Sequence, residues 1–245
     1  MDGGGPCTVV VLGVTGDGKS TTCNTLVGIP DAFAVSGGLA SETANNEHRD
    51  YLRIDGDEVG EIRVIDTIGL HDTDLPAAEV MSRFRAFADL VPMGIDCFVF
   101  VVRWGRFKPE HEAAFDAFAA NCGEAALAHC VLCFTSCGLD AERLAEQLEA
   151  NAPKALRKLL PKLGGHPIGI DNAASPAAAR ATLHGAVDAV IATNAGVRYT
   201  HEALSEARER HVNQREEERA AFASAVSDWR KGSGPVVIEY EQKRE

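Results

Sequence analysis

Nine residues, Gly13-Val14-Thr15-Gly16-Asp17-Gly18-Lys19-Ser20-Thr21, constrain this chain more than any other stretch. They fit the spacing G-x-x-x-x-G-K-[S/T]. Backbone N–H groups can wrap a polyphosphate only where no Cβ crowds them, and the amides of a helix N-terminus add partial positive charge. The glycines serve that approach, Lys19 offsets the phosphate charge, and the Ser20 hydroxyl is the hard oxygen ligand that Mg²⁺ takes. Before the motif, Thr8 to Leu12 is a β-branched run that reads as a buried parallel strand; after it, Lys19 to Leu26 has helical spacing. The expectation is a phosphate-binding loop on a strand-to-helix turn, with Gly13, Thr15, Gly16, Asp17, Gly18, Lys19, Ser20 and Thr21 around the nucleotide.

A chain of 245 residues accommodates one α/β domain with an appendage. The formal net charge of −12 argues against a surface built to neutralise nucleic-acid phosphates. The longest apolar run, Cys97 to Val102, is far short of the roughly 20 residues that span a bilayer, so membrane association is not indicated. Residue 2 is Asp rather than the Gly of a myristoylation signal, and the last four residues form no prenylation box. These features set the expectation of a soluble, cytoplasmic protein. Among the seven cysteines, Cys130-x-x-Cys133 with Cys137 nearby is the cluster to test as a metal site. It falls in an apparent buried strand, where positions three apart point to opposite faces and cannot share one zinc ion. Reduced thiols are expected instead.

Taken in order, Gly37 to His48 reads as a mobile switch loop. Tyr51 to Ile54, the turn at 55–57 and Glu61 to Ile65 read as an antiparallel hairpin at one sheet edge. Leu75 to Leu90 has helical spacing, Cys97 to Val102 reads as a central strand, and Pro109 opens a helix. Ala128 to Phe134 reads as a strand, Asp140 to Leu163 as a helix broken near Pro153, Pro167 to Ile170 as the last core strand, and Pro176 to Thr193 as a helix. From Thr200 to about Lys231 a charged helix carries only a thin apolar stripe, and Pro235 to Ile238 could pair with a sheet edge. This alternation predicts an α/β fold: a mostly parallel central sheet with helices on both faces, the ligand beyond the strand C-termini, and a C-terminal helical extension.

Two further elements complete a phosphate site. Asp66-Thr67-Ile68-Gly69 closes a hydrophobic strand and fits D-x-x-G, in which the carboxylate holds Mg²⁺ and the glycine N–H senses the γ-phosphate. Thr43 is the candidate switch threonine whose hydroxyl completes the metal shell, with Ser41 its rival in the same loop.

These residues resemble the immunity-associated GTPases, the GIMAP or IAN family, relatives of the chloroplast import receptor GTPases and more distantly of septins. The likeness runs through Gly13 to Gly28, Ser41 to Thr43, Asp66 to Leu70, Arg103-Trp-Gly-Arg-Phe-Lys-Pro-Glu110, Gly123-Glu124, Val131 to Thr135, Asp171-Asn172 and Tyr199-Thr200 at the opening of the final helix. It implies a P-loop G domain over residues 1–198 with a charged helix and tail over 199–245. It also implies binding of GTP and GDP with Mg²⁺, slow hydrolysis, and homodimerisation across the nucleotide face. One departure bears on the base: Gly138 stands where family members carry a guanine-reading Asp, and Asp140, two positions later, reads as a helix cap. Leu70 follows Gly69 where Ras-like enzymes place a water-orienting glutamine, consistent with slow turnover.

The resulting assignment gives Lys19, Thr43, Gly69 and Arg106 catalytic roles, with Arg103 the alternative to Arg106 as an arginine reaching a partner's phosphates. Ser20, Thr43 and Asp66 hold the metal. Thr135, Asp171 and Asn172 join the nucleotide site, Asp171 supplying the carboxylate that guanine's N1–H and N2 amine require. A GTP-locked scaffold without useful turnover and a P-loop ATPase are the alternatives.

Overall fold

The computed structural model describes residues 5–34, 47–55, 58–67, 90–91, 93–201, 215–231 and 237–238. Strands β1 (Cys7–Gly13), β2 (Glu47–Asp55), β3 (Glu58–Asp66), β4 (Cys97–Arg103), β5 (Cys130–Thr135), β6 (Ile168–Gly169) and β7 (Val237–Ile238) form one sheet in the order β6-β5-β4-β1-β3-β2-β7. β1 pairs in parallel with β3 and β4, β4 with β5, and β5 with β6, whereas β2 runs antiparallel to both β3 and β7. The described helices are α1 (Lys19–Val27), α2 (Pro109–Cys122), α3 (Ala141–Asn151), α4 (Lys154–Leu159), α5 (Pro176–Thr193) and α6 (Arg215–Arg230).

Side-chain alternation along the central strands divides the core into two layers. Val10, Leu12, Phe98 and Phe100 pack with Phe115 and Phe118 of α2, Leu144 of α3 and Leu156 of α4. Val9, Val11, Val99 and Val101 pack on the other face with Leu26 of α1 and Leu183, Val187 and Val190 of α5. A strand covered on both faces must be apolar at every position, which is why β1, β4 and β5 read as continuous hydrophobic runs. Cys130 lies in the first layer and Cys133 in the second, the opposite-face arrangement expected of positions three apart in a strand.

The predicted elements recur with three informative differences. First, Glu124–His129 is a 3₁₀ helix and the strand begins at Cys130, not at Ala128. Gly123, at φ 81°, ends α2 and turns the chain, and Ala126 and Leu127 are buried in the helical turn as they would be in a strand. Second, β2 starts at Glu47 and takes in polar residues that hydropathy assigns to a loop. The burial of Asp50 is explained by the partner strand: Arg63 donates from Nε and Nη2 to its two carboxylate oxygens, at 2.7 and 2.8 Å. Third, Tyr199 forms an isolated antiparallel bridge with Ile95 and Thr200 is not helical; residues 202–214 of the expected final helix lie outside the described residues, and Arg215–Arg230 is helical.

The thin stripe of α6 has a place to go. Ala221, Phe222, Ala225, Val226 and Trp229 pack with Leu52 and Val59 of the hairpin, and β7 extends the same edge by pairing Val237 and Ile238 with Tyr51 and Asp50. The hairpin therefore has one further short strand outside it. The predicted break near Pro153 separates α3 from α4, with Ala152 extended before the proline, as the ring requires. The helix expected over Leu75 to Leu90, apart from Leu90 itself, lies outside the described residues, as does most of the switch loop. Among the described residues, no helix is long and apolar enough to cross a membrane.

The Arg63–Asp50 pair is deeply buried, with side-chain exposures of 8% and 1%. Removing one partner strands the other charge, so Asp50→Ala should lower unfolding free energy by about 3–5 kcal/mol, read from denaturant midpoints at constant m-value.

Candidate functional site

The phosphate loop occupies the crossing from β1 to α1. Gly13 leaves the sheet with φ 145°, and a Cβ there would stand 2.4 Å from the Val101 carbonyl oxygen, so close packing of β1 on β4 requires glycine. Gly18, the N-cap of α1, is left-handed at φ 96°, a conformation that glycine adopts without strain. The α1 N-terminus thus follows a turn with no side chain over its amides, as an anion site requires.

Two chain-distant carboxyl and hydroxyl groups meet beside it. The Ser20 hydroxyl donates to Asp66 Oδ2 over 2.5 Å across 46 residues of sequence. Asp66 is 2% exposed because it ends β3, in register with Val11 of β1. Thr67 fastens the next residue, its hydroxyl donating to the Val11 carbonyl at 2.8 Å. Lys19 Nζ lies 3.4 Å from the Val14 carbonyl oxygen. Burial pulls the Lys19 ammonium below its ordinary pKa, while the carboxylates of Asp66 and Asp17 pull it back up.

Thr135 supports the loop from β5. Its hydroxyl donates to the Asp17 carbonyl at 2.7 Å, and its side chain lies within 4 Å of a Cβ placed on Gly18. Asp171 and Asn172 follow β6 at the strand C-termini. Asp171 Oδ1 accepts from the N–H groups of Ala173 and Ala174, at 3.1 and 2.9 Å, the turn-capping arrangement of an Asx residue. Asn172 faces α1: Thr25 donates to its Oδ1 at 2.9 Å, and its Nδ2 lies 3.4 Å from the Thr22 hydroxyl. Asp140 accepts from the Arg143 N–H at 2.9 Å as the N-cap of α3.

Arg103 ends β4 and Arg106 follows the turn at Trp104-Gly105, and both are exposed. The Arg106 N–H donates to the Arg103 carbonyl at 3.0 Å, and the Trp104 N–H to the Thr135 carbonyl at 2.9 Å. Among the described residues no ion pair joins Arg106 to Glu110. Thr43 and Gly69, with Ser41, Ile68 and Leu70, lie outside the described residues.

One residue of this neighbourhood escaped the sequence reading. His111 of α2 is 2% exposed, and its Nε2 lies 2.7 Å from Asp17 Oδ2. The signal was available: 111, 114, 115 and 118 fall on one helical face, so the apolar spacing of Ala114, Phe115 and Phe118 puts a histidine in the core, where a polar side chain needs a partner.

With the loop, the strand-end carboxylate and the sheet order in place, comparison with known proteins identifies the group. The model of the AIG1 family matches residues 7–218. The chain belongs to the AIG1 family. It is 29% identical over 169 residues to immune-associated nucleotide-binding protein 10 of Arabidopsis thaliana, an alignment covering 67% of this chain and 35% of that protein. The curated Arabidopsis relatives it matches are thus spanned over only 35% and 63% of their lengths. Toc33 from Arabidopsis thaliana in complex with GDP and Mg²⁺ shares the fold, with a TM-score of 0.55 at 20% identity over 79% of this chain and 86% of that one. A structure of the chloroplast translocon components atToc33 and psToc159, whose dimerisation is important for their GTPase activity, gives 0.57 at 20% identity over 76% and 83%. This AIG1 domain therefore has the P-loop G-domain fold.

The contact of Asp140 with Arg143 separates capping from base reading. Asp140→Ala should cost about 1 kcal/mol of stability and leave the ratio of GTP to ATP affinity as it is in the wild type, measured by nucleotide competition.

Proposed function

We propose that this AIG1 domain binds GTP and GDP with Mg²⁺ and hydrolyses GTP slowly, its triphosphate state favouring a homodimer across the nucleotide face. The observation that carries this reading is the Ser20–Asp66 contact beside the glycine-bounded N-terminus of α1. Family membership and the nucleotide named for the Toc33 neighbour support it.

Two hard oxygen donors converging at 2.5 Å, one of them a buried carboxylate, suit Mg²⁺. Ser20 and Asp66 would hold the ion, with Thr43 as a third donor, and the ion would supply charge neutralisation on the phosphates. The chain's own groups do the rest. The amides from Gly16 to Thr21 bind phosphate oxygens, Lys19 adds a point charge, and Thr135 keeps the loop in shape. Gly69 contributes an N–H toward the γ-phosphate. Arg106, or Arg103 from the same exposed turn, reaches a partner's phosphates, where such an arginine is worth roughly 10³ to 10⁵ in rate.

For the base, Asp171 carries the selective contact through the oxygen that does not cap its turn. Asp171→Asn keeps the capping oxygen and replaces the other with an N–H₂ donor. It should weaken GTP by on the order of 10² and improve binding of xanthosine triphosphate, whose C2 carbonyl accepts from the amide. Unchanged GTP affinity with no gain for the xanthine nucleotide removes Asp171 from the base site. Asn172, held against α1, shapes the loop that carries Asp171.

The assignment as a whole is tested by Lys19→Ala, expected to abolish measurable GTP binding in equilibrium titrations. Phosphate release at rising protein concentration then tests turnover: specific activity should climb with dimer formation, and Arg106→Ala should flatten that rise. No phosphate release at any concentration leaves a GTP-locked scaffold, and a finite rate independent of concentration and of Arg106 removes the dimer from the turnover mechanism.

A further inference from the structure

Asp17 is a carboxylate inside a loop whose proposed ligand is a polyanion, and its charge opposes that ligand unless it is held elsewhere. His111 holds it: the two side chains are 8% and 3% exposed, with Nε2 and Oδ2 2.7 Å apart. The tautomer follows from the other ring nitrogen. The Lys108 backbone N–H donates to His111 Nδ1 at 3.0 Å, so Nδ1 is the acceptor and Nε2 carries the proton donated to Asp17. Phe107 stacks on the imidazole, with centroids 5.7 Å apart and planes at 24°. On the loop side, the Asp17 carbonyl accepts from Thr135, and its N–H donates to the Val14 carbonyl at 3.3 Å. Asp17 is therefore fixed by its side chain to α2, by its carbonyl to β5 and by its amide to the loop.

We propose that His111 is a positioning residue for the phosphate loop, holding the Asp17 carboxylate on α2 so that the loop amides stay directed at the nucleotide phosphates. This rests on the reading of the loop as a GTP site. The same imidazole is gripped by Phe107 and Lys108 of the turn that presents Arg103 and Arg106. A partner that moves the turn thus acts on the loop through one side chain, and by linkage nucleotide binding acts back on the turn.

The test is a double-mutant cycle on the affinity for fluorescent GDP and a non-hydrolysable GTP analogue, with folding of each variant followed by thermal melting. His111→Asn keeps an oxygen near the Nδ1 position for the Lys108 N–H but withdraws the donor from Asp17. It should weaken both nucleotides roughly 10- to 100-fold. His111→Gln, whose amide nitrogen reaches toward the Nε2 position, should recover most of that loss. In an Asp17→Asn background, which leaves no charge to hold, His111→Asn should cost markedly less, so the two losses are non-additive. Wild-type affinity in folded His111→Asn, or an equal loss in both backgrounds, overturns the proposal.

If His111→Asn does not fold, imidazole ¹⁵N shifts of the wild-type protein decide. A neutral ring protonated at Nε2, with signals that move on GDP addition, is expected. Protonation at Nδ1, or no response to nucleotide, overturns it. A wild-type chain that binds no GTP removes the functional reading and this proposal together, whereas wild-type binding with either contrary result removes the proposal alone.

Discussion

The parallel pairing of β1 with β3 is the constraint from which the site follows. Its register sets Val11 opposite Asp66, so the strand-end carboxylate stands two residues before β1 ends at Gly13 and its glycine-rich loop begins. The loop then needs only one residue of α1, Ser20, to meet Asp66. A slip of one residue would turn Asp66 to the other face and dismantle the pair, because side chains alternate along a strand. In this register Val9 and Val11 belong to one core layer and Val10 and Leu12 to the other.

Around that pairing, the loop is held at Asp17 from two directions, by Thr135 of β5 and His111 of α2. Asn172, in the turn after β6, ties that turn to Thr22 and Thr25 of α1. Rigid elements thus define a segment of backbone that must present its N–H groups in one geometry. A loop that binds through amides cannot rely on side-chain rotamers to adjust, and preorganisation by its supports does that work.

The charged C-terminal region illustrates how a weak pattern is completed by tertiary context. The narrow apolar stripe of α6 is too thin to bury a helix in a core, yet it matches the small exposed face that Leu52 and Val59 leave on the hairpin. At Asp50 and Tyr51 the edge of β2 is paired in turn with β7, which satisfies backbone groups that an open edge would expose there.

By itself the sequence determined the glycine-bounded strand-to-helix turn from Gly13 to Thr21, the two-sided burial of β1, β4 and β5, and the capping role of Asp140, because these depend on local spacing and on chemistry within a few residues. It also indicated the break at Pro153, where the ring acts only on its neighbours. Tertiary structure alone decided that Asp50 and Arg63 form a buried pair, that Asp17 is held by His111, and that Asn172 faces α1. Each of these is a choice of partner across tens of residues. A single chain's hydropathy reports whether a position is buried, but not which distant donor or acceptor meets it there.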